Sequence, residues 1–145
     1  MNNKTGRNYL SNRSWLSDNI ADQEVILRGV SALEYLEMFD GYTNESDIFV
    51  YSKDLINLPS LIVTVVDSFD EIEYIRFGDV LCSTFDQAIN DMLEDEDLDE
   101  LALSSALGNY YYTHNNSYDG LNIKDSNTDA FEHYKSWGIG YYSGG

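Results

Sequence analysis

The chain has 145 residues, with 26 Asp and Glu against 8 Lys and Arg, for a formal net charge of −18. That length suits one domain with a sizeable core, and a hydrophobic content of 43% excludes a disordered acidic tail. Small domains usually keep a net charge of magnitude roughly 2–8, because self-repulsion opposes compaction, so an excess this large points to a basic partner.

Residues 1–14 hold Lys4, Arg7 and Arg13 and no acid, and read as a flexible basic segment. An acidic domain over 15–137 and a Gly/Tyr tail over 138–145 follow. A short apolar helix is expected around Trp15, Leu16 and Ile20. The run 24–29, EVILRG, has strand character and ends at a Gly that can turn the chain. Ser31-Ala-Leu-Glu34 has capping-box spacing, with Leu33, Tyr35, Leu36 and Phe39 on an apolar face and Gly41 as the stop.

The middle of the chain is β-rich. IFVYS (48–52) and LIVTVV (61–66) are β-branched and aromatic runs, separated by a stretch containing Pro59. Runs at 72–77 and 80–83 flank Gly78-Asp79, a two-residue hairpin turn. Thr84-x-x-Gln87 opens a helix carrying Ile89, Met92 and Leu93, and Asp97-x-x-Glu100 caps another. A Tyr- and Asn-rich loop is expected from about Asn109 to Asn127. Ala130, Phe131, Tyr134 and Trp137 then suggest a last helix that Gly138 ends. These elements make a single α+β domain with a small, mostly antiparallel sheet and several helices.

Two acidic clusters stand out. The stretch 86–100 has no base, and includes Glu94, Asp95, Glu96 and Asp99. A helix N-terminus favours nearby carboxylates by roughly 0.3–1 kcal/mol each, which accounts for some of them and not all, because crowded like charges repel. The others are either a partner-facing surface or a solvated face. Asp70, Glu71 and Glu73 form the second cluster, with Glu71 and Glu73 on one face of the expected strand. They are either part of a row of charge imitating nucleic-acid phosphates or a charged edge that blocks aggregation. Tyr110, Tyr111 and Tyr112 complete the candidate surface, because consecutive rings cannot all point inward and Tyr is common at interfaces.

Catalytic and metal-binding patterns are missing. His114 and His133 are the only histidines and have no metal-ligand spacing. No nucleophile elbow, phosphate loop or dinucleotide fingerprint occurs, and carboxylate pairs are too abundant to single one out for a hydrolase. No cofactor, metal or catalytic residue is expected. The lone Cys82 excludes a disulfide framework and reads as a buried thiol. No apolar run is long enough to span a membrane, and a cytoplasmic location is expected.

The segments 28–39 (RGVSALEYLEMF), 78–93 (GDVLCSTFDQAINDML) and 98–111 (LDELALSSALGNYY) resemble the C-terminal domain of AbiEi-type antitoxins. Ser31, Ala32 and Leu33 match the family's first helix, and Thr84, Asp86, Ile89, Asp91, Met92 and Leu93 its later element. Phe85, Gln87 and Ala88 depart from it, where the family favours Pro, Arg and Thr. Fewer than thirty residues precede the match, so the family's winged-helix domain and its DNA binding are not expected here. The resemblance implies neutralisation of a nucleotidyltransferase toxin in an abortive-infection system.

Taken with the charge, these features suggest a non-catalytic inhibitor that binds a basic nucleic-acid-handling protein (a Cas effector, nuclease or toxin) and not nucleic acid or membrane. A phage-type DNA mimic, such as an anti-CRISPR or anti-restriction protein, is the first form of that expectation. An antitoxin is the alternative, and a small carboxylate hydrolase the third. The sequence leaves the oligomeric state open.

Overall fold

β1 (Val25–Leu27) is apolar throughout and buried throughout, the pattern of a strand covered on both faces. It is the central strand of a five-stranded sheet ordered β3-β2-β1-β5-β4. The computed structural model, which describes residues 12–38, 47–95 and 98–143, places β2 (Ile48–Ser52) and β5 (Val80–Ser83) on either side of it. β3 (Leu61–Val65) and β4 (Tyr74–Phe77) form the edges. β1–β2 and β4–β5 are antiparallel, whereas β1–β5 and β2–β3 are parallel. The sheet is therefore mixed, and not mostly antiparallel as the hairpin alone suggests.

α1 (Asn12–Asn19) starts inside the segment expected to be flexible. Trp15 and Leu16 are buried, and Arg13 is docked: its Nε donates to the Tyr35 carbonyl at 2.7 Å and its guanidinium lies 4.8 Å from the Tyr35 ring centre. α2 (Gly29–Tyr35) begins earlier than a Ser31 cap allows. Gly29 makes the bend after β1 at a φ of +54°, a conformation that costs glycine little. Ser31 lies within the helix, and its Oγ accepts the Phe49 N–H of β2 at 2.8 Å. Glu34 is buried, and Gly41 lies outside the described residues.

The hairpin at Gly78-Asp79 forms as expected, with Gly78 at a φ of +61°. α3 (Phe85–Glu94) is capped by Thr84, whose Oγ accepts the Gln87 N–H at 3.2 Å. The Gln87 side chain does not close the box. It donates to Asp91 at 3.0 Å and accepts from the Glu73 N–H. α4 (Glu100–Thr113) is capped by Asp99, which accepts the Ala102 N–H at 3.0 Å, whereas Asp97 lies outside the described residues. α4 carries Tyr110–Tyr112, so the expected loop begins only after Thr113.

α5 (Thr128–Ser143), preceded by a short 3-10 turn at Asp125–Asn127, runs straight through Gly138 into the expected tail. A Cβ at Gly138 would lie 2.7 Å from both Leu107 Cβ and the Tyr118 hydroxyl, and 3.0 Å from the Gly108 nitrogen. Gly138 is thus a crossing point of α4 and α5, not a helix stop. One core joins the sheet to the helices through Leu16, Leu27, Leu33, Val50, Ile89, Leu103 and Leu107. Cys82 lies in it, and burial pushes its thiol pKa up to about 12. No helix among the described residues is long and apolar enough to cross a membrane.

Gly138→Ala tests the crossing. On an open helix this change stabilises by about 1 kcal/mol. Here the clash with Leu107 and Tyr118 should reverse the sign, to a loss of about 1–3 kcal/mol in denaturant unfolding. A stabilised variant would show that the two helices do not meet closely.

Candidate functional site

The sign of the local charge is set first by a buried ion-pair cluster where β1 turns into α2. Arg28, only 9% exposed, directs Nη2 to Asp95 Oδ1 at 3.0 Å. Its Nε faces Asp91 Oδ2 at 3.9 Å, and its guanidinium lies 5.0 Å from the Tyr51 ring centre. Asp91 is buried, and its other oxygen accepts from Gln87. Burial opposes the Arg28 charge, but the Tyr51 hydroxyl, Asp95 and Asp91 outweigh it and hold its pKa above the usual value. Desolvation raises Asp91 above its ordinary value despite Tyr51 and Arg28, and raises Tyr51 to about 12.

Next to this cluster lies a cleft of about 450 Å³. The long step from β3 to β4 creates it, because those strands occupy opposite edges of the sheet. Segment 66–73 makes the crossing, and its Asp67 and Glu71 line the cleft together with Asp91 and Glu94 of α3, Tyr51 and Lys124. The fold therefore brings carboxylates from both acidic stretches of the sequence to one cleft.

The individual candidates fare differently. Asp70 and Glu71 are exposed, and with Asp67 they have no cation within ion-pair distance among the described residues. Glu71 and Glu73 precede β4 instead of alternating within it. Glu73 accepts the Thr84 hydroxyl at 2.6 Å, at the cap of α3. Glu94 accepts from Asn127 at 2.9 Å and lies 3.8 Å from Lys124. Asp95 is engaged by Arg28 and Asp99 caps α4, so these acids hold the fold together instead of forming a free row. Glu96 lies outside the described residues.

Of the tyrosine triplet only one ring is buried, so the three do not all point inward. Tyr110 is buried, donates to the Asp119 carbonyl at 2.7 Å and stacks on His114 with ring centres 3.8 Å apart. Tyr111 packs on Tyr118. Tyr112 is 39% exposed, and its hydroxyl donates to the Ile139 carbonyl.

Sequence reasoning missed Arg28, Tyr51, Asn90 and Asn127. Arg28 carries a faint signal, as a lone base between apolar VIL and GV in a very acidic chain. Asn90 carries none. Buried at the inner side of α3, it donates to the Asp86 and Asn122 carbonyls and accepts from Lys124 N–H and Asn127. That network pins the 121–127 segment beside Glu94. Among the described residues no group of three or more His, Cys, Asp or Glu is placed to hold a metal ion. The chain matches no protein-family model, no curated protein and no solved structure.

Two outcomes follow from the buried cluster. Arg28→Met strands Asp91 without a cation and should cost about 3–5 kcal/mol in denaturant unfolding, and a loss below 1 kcal/mol would show the pair to be dispensable. The pH dependence has a definite sign. Desolvation places the folded pKa values of Asp91 and Asp86 above the ordinary 3.8. Their contribution to stability is thus fully present below that value and lost as pH rises through the raised folded values. Tm should climb as pH is lowered from about 7 toward the pI of about 4.1. A steady fall over that range would contradict the assignment.

Proposed function

We propose that the protein is a non-catalytic binding protein whose acidic cleft docks on a basic, nucleic-acid-handling partner and blocks it, acting in the cytoplasm. The observation that carries this reading is the convergence on the cleft. Asp67 and Glu71 from the sheet crossover line it together with Asp91 and Glu94 from α3, with Lys124 alone as a base among the lining residues. Asp67, Asp70 and Glu71 contribute charge without a structural partner among the described residues. Uncompensated carboxylates on one surface cost stability through mutual repulsion and raise the encounter rate with a cation-rich surface.

The mechanism has two steps. The field of the acidic face steers approach over about 8–10 Å at moderate ionic strength. Contact then competes with nucleic acid for the partner's Lys and Arg, because carboxylates and phosphates both accept from guanidinium groups. A phage-type nucleic-acid mimic and an antitoxin that covers a nucleotidyltransferase or nuclease share this mechanism and differ in the partner. The resemblance to AbiEi-type antitoxins covers roughly residues 28–111, and it supports the second form.

The test is a triple reversal, Asp67→Lys/Asp70→Lys/Glu71→Lys, which leaves the acids engaged by Arg28, Asn127 and the α4 cap untouched. A partner retained by the wild type at low salt should be released by double-stranded DNA, and the folded variant should lose at least about tenfold in association rate. Retention unaffected by DNA and by the triple reversal would refute the reading.

A further inference from the structure

Among the described residues, β3 leaves the outer edge of the sheet open. At its ends, Ile48 N–H donates to the Ser60 carbonyl at 2.8 Å and Val66 N–H donates to the Ser52 carbonyl at 2.9 Å. Given the parallel register Ile48↔Leu61 through Ser52↔Val65, Ile62 and Thr64 turn their backbone groups toward β2. Leu61, Val63 and Val65 turn theirs outward. The Leu58 carbonyl takes the Leu61 N–H at 3.0 Å, and among the described residues nothing pairs with the N–H and C=O of Val63 and Val65.

Soluble proteins usually blunt such an edge with Lys, Pro, a bulge or a covering segment. β3 reads LIVTV, with no charge and no proline. Ile62 and Val65 are 42% and 54% exposed. The other edge strand, β4, carries Arg76. An edge that no described residue protects, in a chain that spends so many charges elsewhere, invites a strand.

The acidic cleft says what kind. Val65 and Val66 line it together with Asp67 and Glu71, so the open edge runs directly into the carboxylates. We infer that a basic partner docks by adding an extended segment to β3 as a sixth strand, hydrogen-bonded to Val63 and Val65, with an Arg or Lys side chain entering the cleft at the strand's end. This rests on the basic-partner reading and adds the docking mode. Main-chain pairing gives the affinity and the cleft gives the selection for charge, the division of labour in strand addition. A second copy of this chain is a poor occupant, because each copy brings a net charge of −18.

The probe is a synthetic peptide of about ten residues alternating Val or Thr with Arg, compared with a version N-methylated at alternate backbone nitrogens and a version with Gln for Arg. Binding is followed by calorimetry at low ionic strength, and amide exchange of Val63 and Val65 by NMR. The Arg peptide should bind and protect both amides. N-methylation of the peptide, or Val65→Pro in the protein, should each weaken binding about tenfold, and the Gln version should bind at least that much more weakly. N-methylation leaves the protein untouched, so a failure of Val65→Pro to fold does not obscure the result. Binding that survives N-methylation without protection of either amide would overturn strand addition and leave the basic-partner reading standing. No salt-dependent binding of the Arg peptide would remove both. Concentration-dependent protection of Val63 and Val65 in the protein alone would assign the edge to a second copy and overturn the inference.

Discussion

The buried Arg28 holds the acidic fold together. It sits where β1 turns into α2, and its pairing with Asp95 and Asp91 fastens the central strand to α3. A chain of net charge −18 cannot bury carboxylates cheaply, since each uncompensated one costs several kcal/mol. One arginine with Tyr51 beside it lets Asp91 be enclosed, while Asp95 pairs with that arginine from a partly exposed position. That fixes the angle of α3, and the position of α3 fixes one wall of the cleft.

The remaining charge is arranged by topology. β3 and β4 lie at opposite edges, so segment 66–73 must cross the sheet, and a connecting segment on the surface has its side chains free for function. Asp67, Asp70 and Glu71 occur there. The acids of α3 and the α4 cap are instead engaged with Asn127, Arg28 and a helix N-terminus. Two populations of carboxylate result, one that stabilises the fold and one that burdens it. The second borders the edge of β3, so the surface with the least structural purpose in its charge is also the one whose backbone groups have no partner among the described residues.

Much of the fold was legible. β-branched runs marked β2 and β3, Gly78-Asp79 marked the hairpin, and Thr84 marked the start of α3, because these signals are local. Failures came where tertiary contact overrode local pattern. Ser31 and Glu34 have capping-box spacing, yet the positive φ of Gly29 starts α2 earlier and gives Ser31 a partner on β2. Gly138 resembles a helix stop but is a close crossing, a distinction that depends on Leu107 and Tyr118. The parallel pairings of β1 with β5 and β2 with β3 had no local signature. At the site, the sequence located both acidic stretches and could not tell free carboxylates from engaged ones, because their partners Arg28 and Asn127 lie far along the chain. Charge density marks where acids are and says nothing of what neutralises them.

The division into stabilising and burdening acids is the central claim, and a scan of single Asp→Asn and Glu→Gln substitutions, read by denaturant unfolding, tests it most directly. Neutralising Asp95 or Asp99 should lower stability by about 0.5–3 kcal/mol each. Neutralising Asp67, Asp70 or Glu71 should leave stability unchanged or raise it by a few tenths of a kcal/mol, as relief of repulsion requires. If the second group proves as destabilising as the first, those carboxylates hold the fold together, and the account of a free acidic docking surface is wrong.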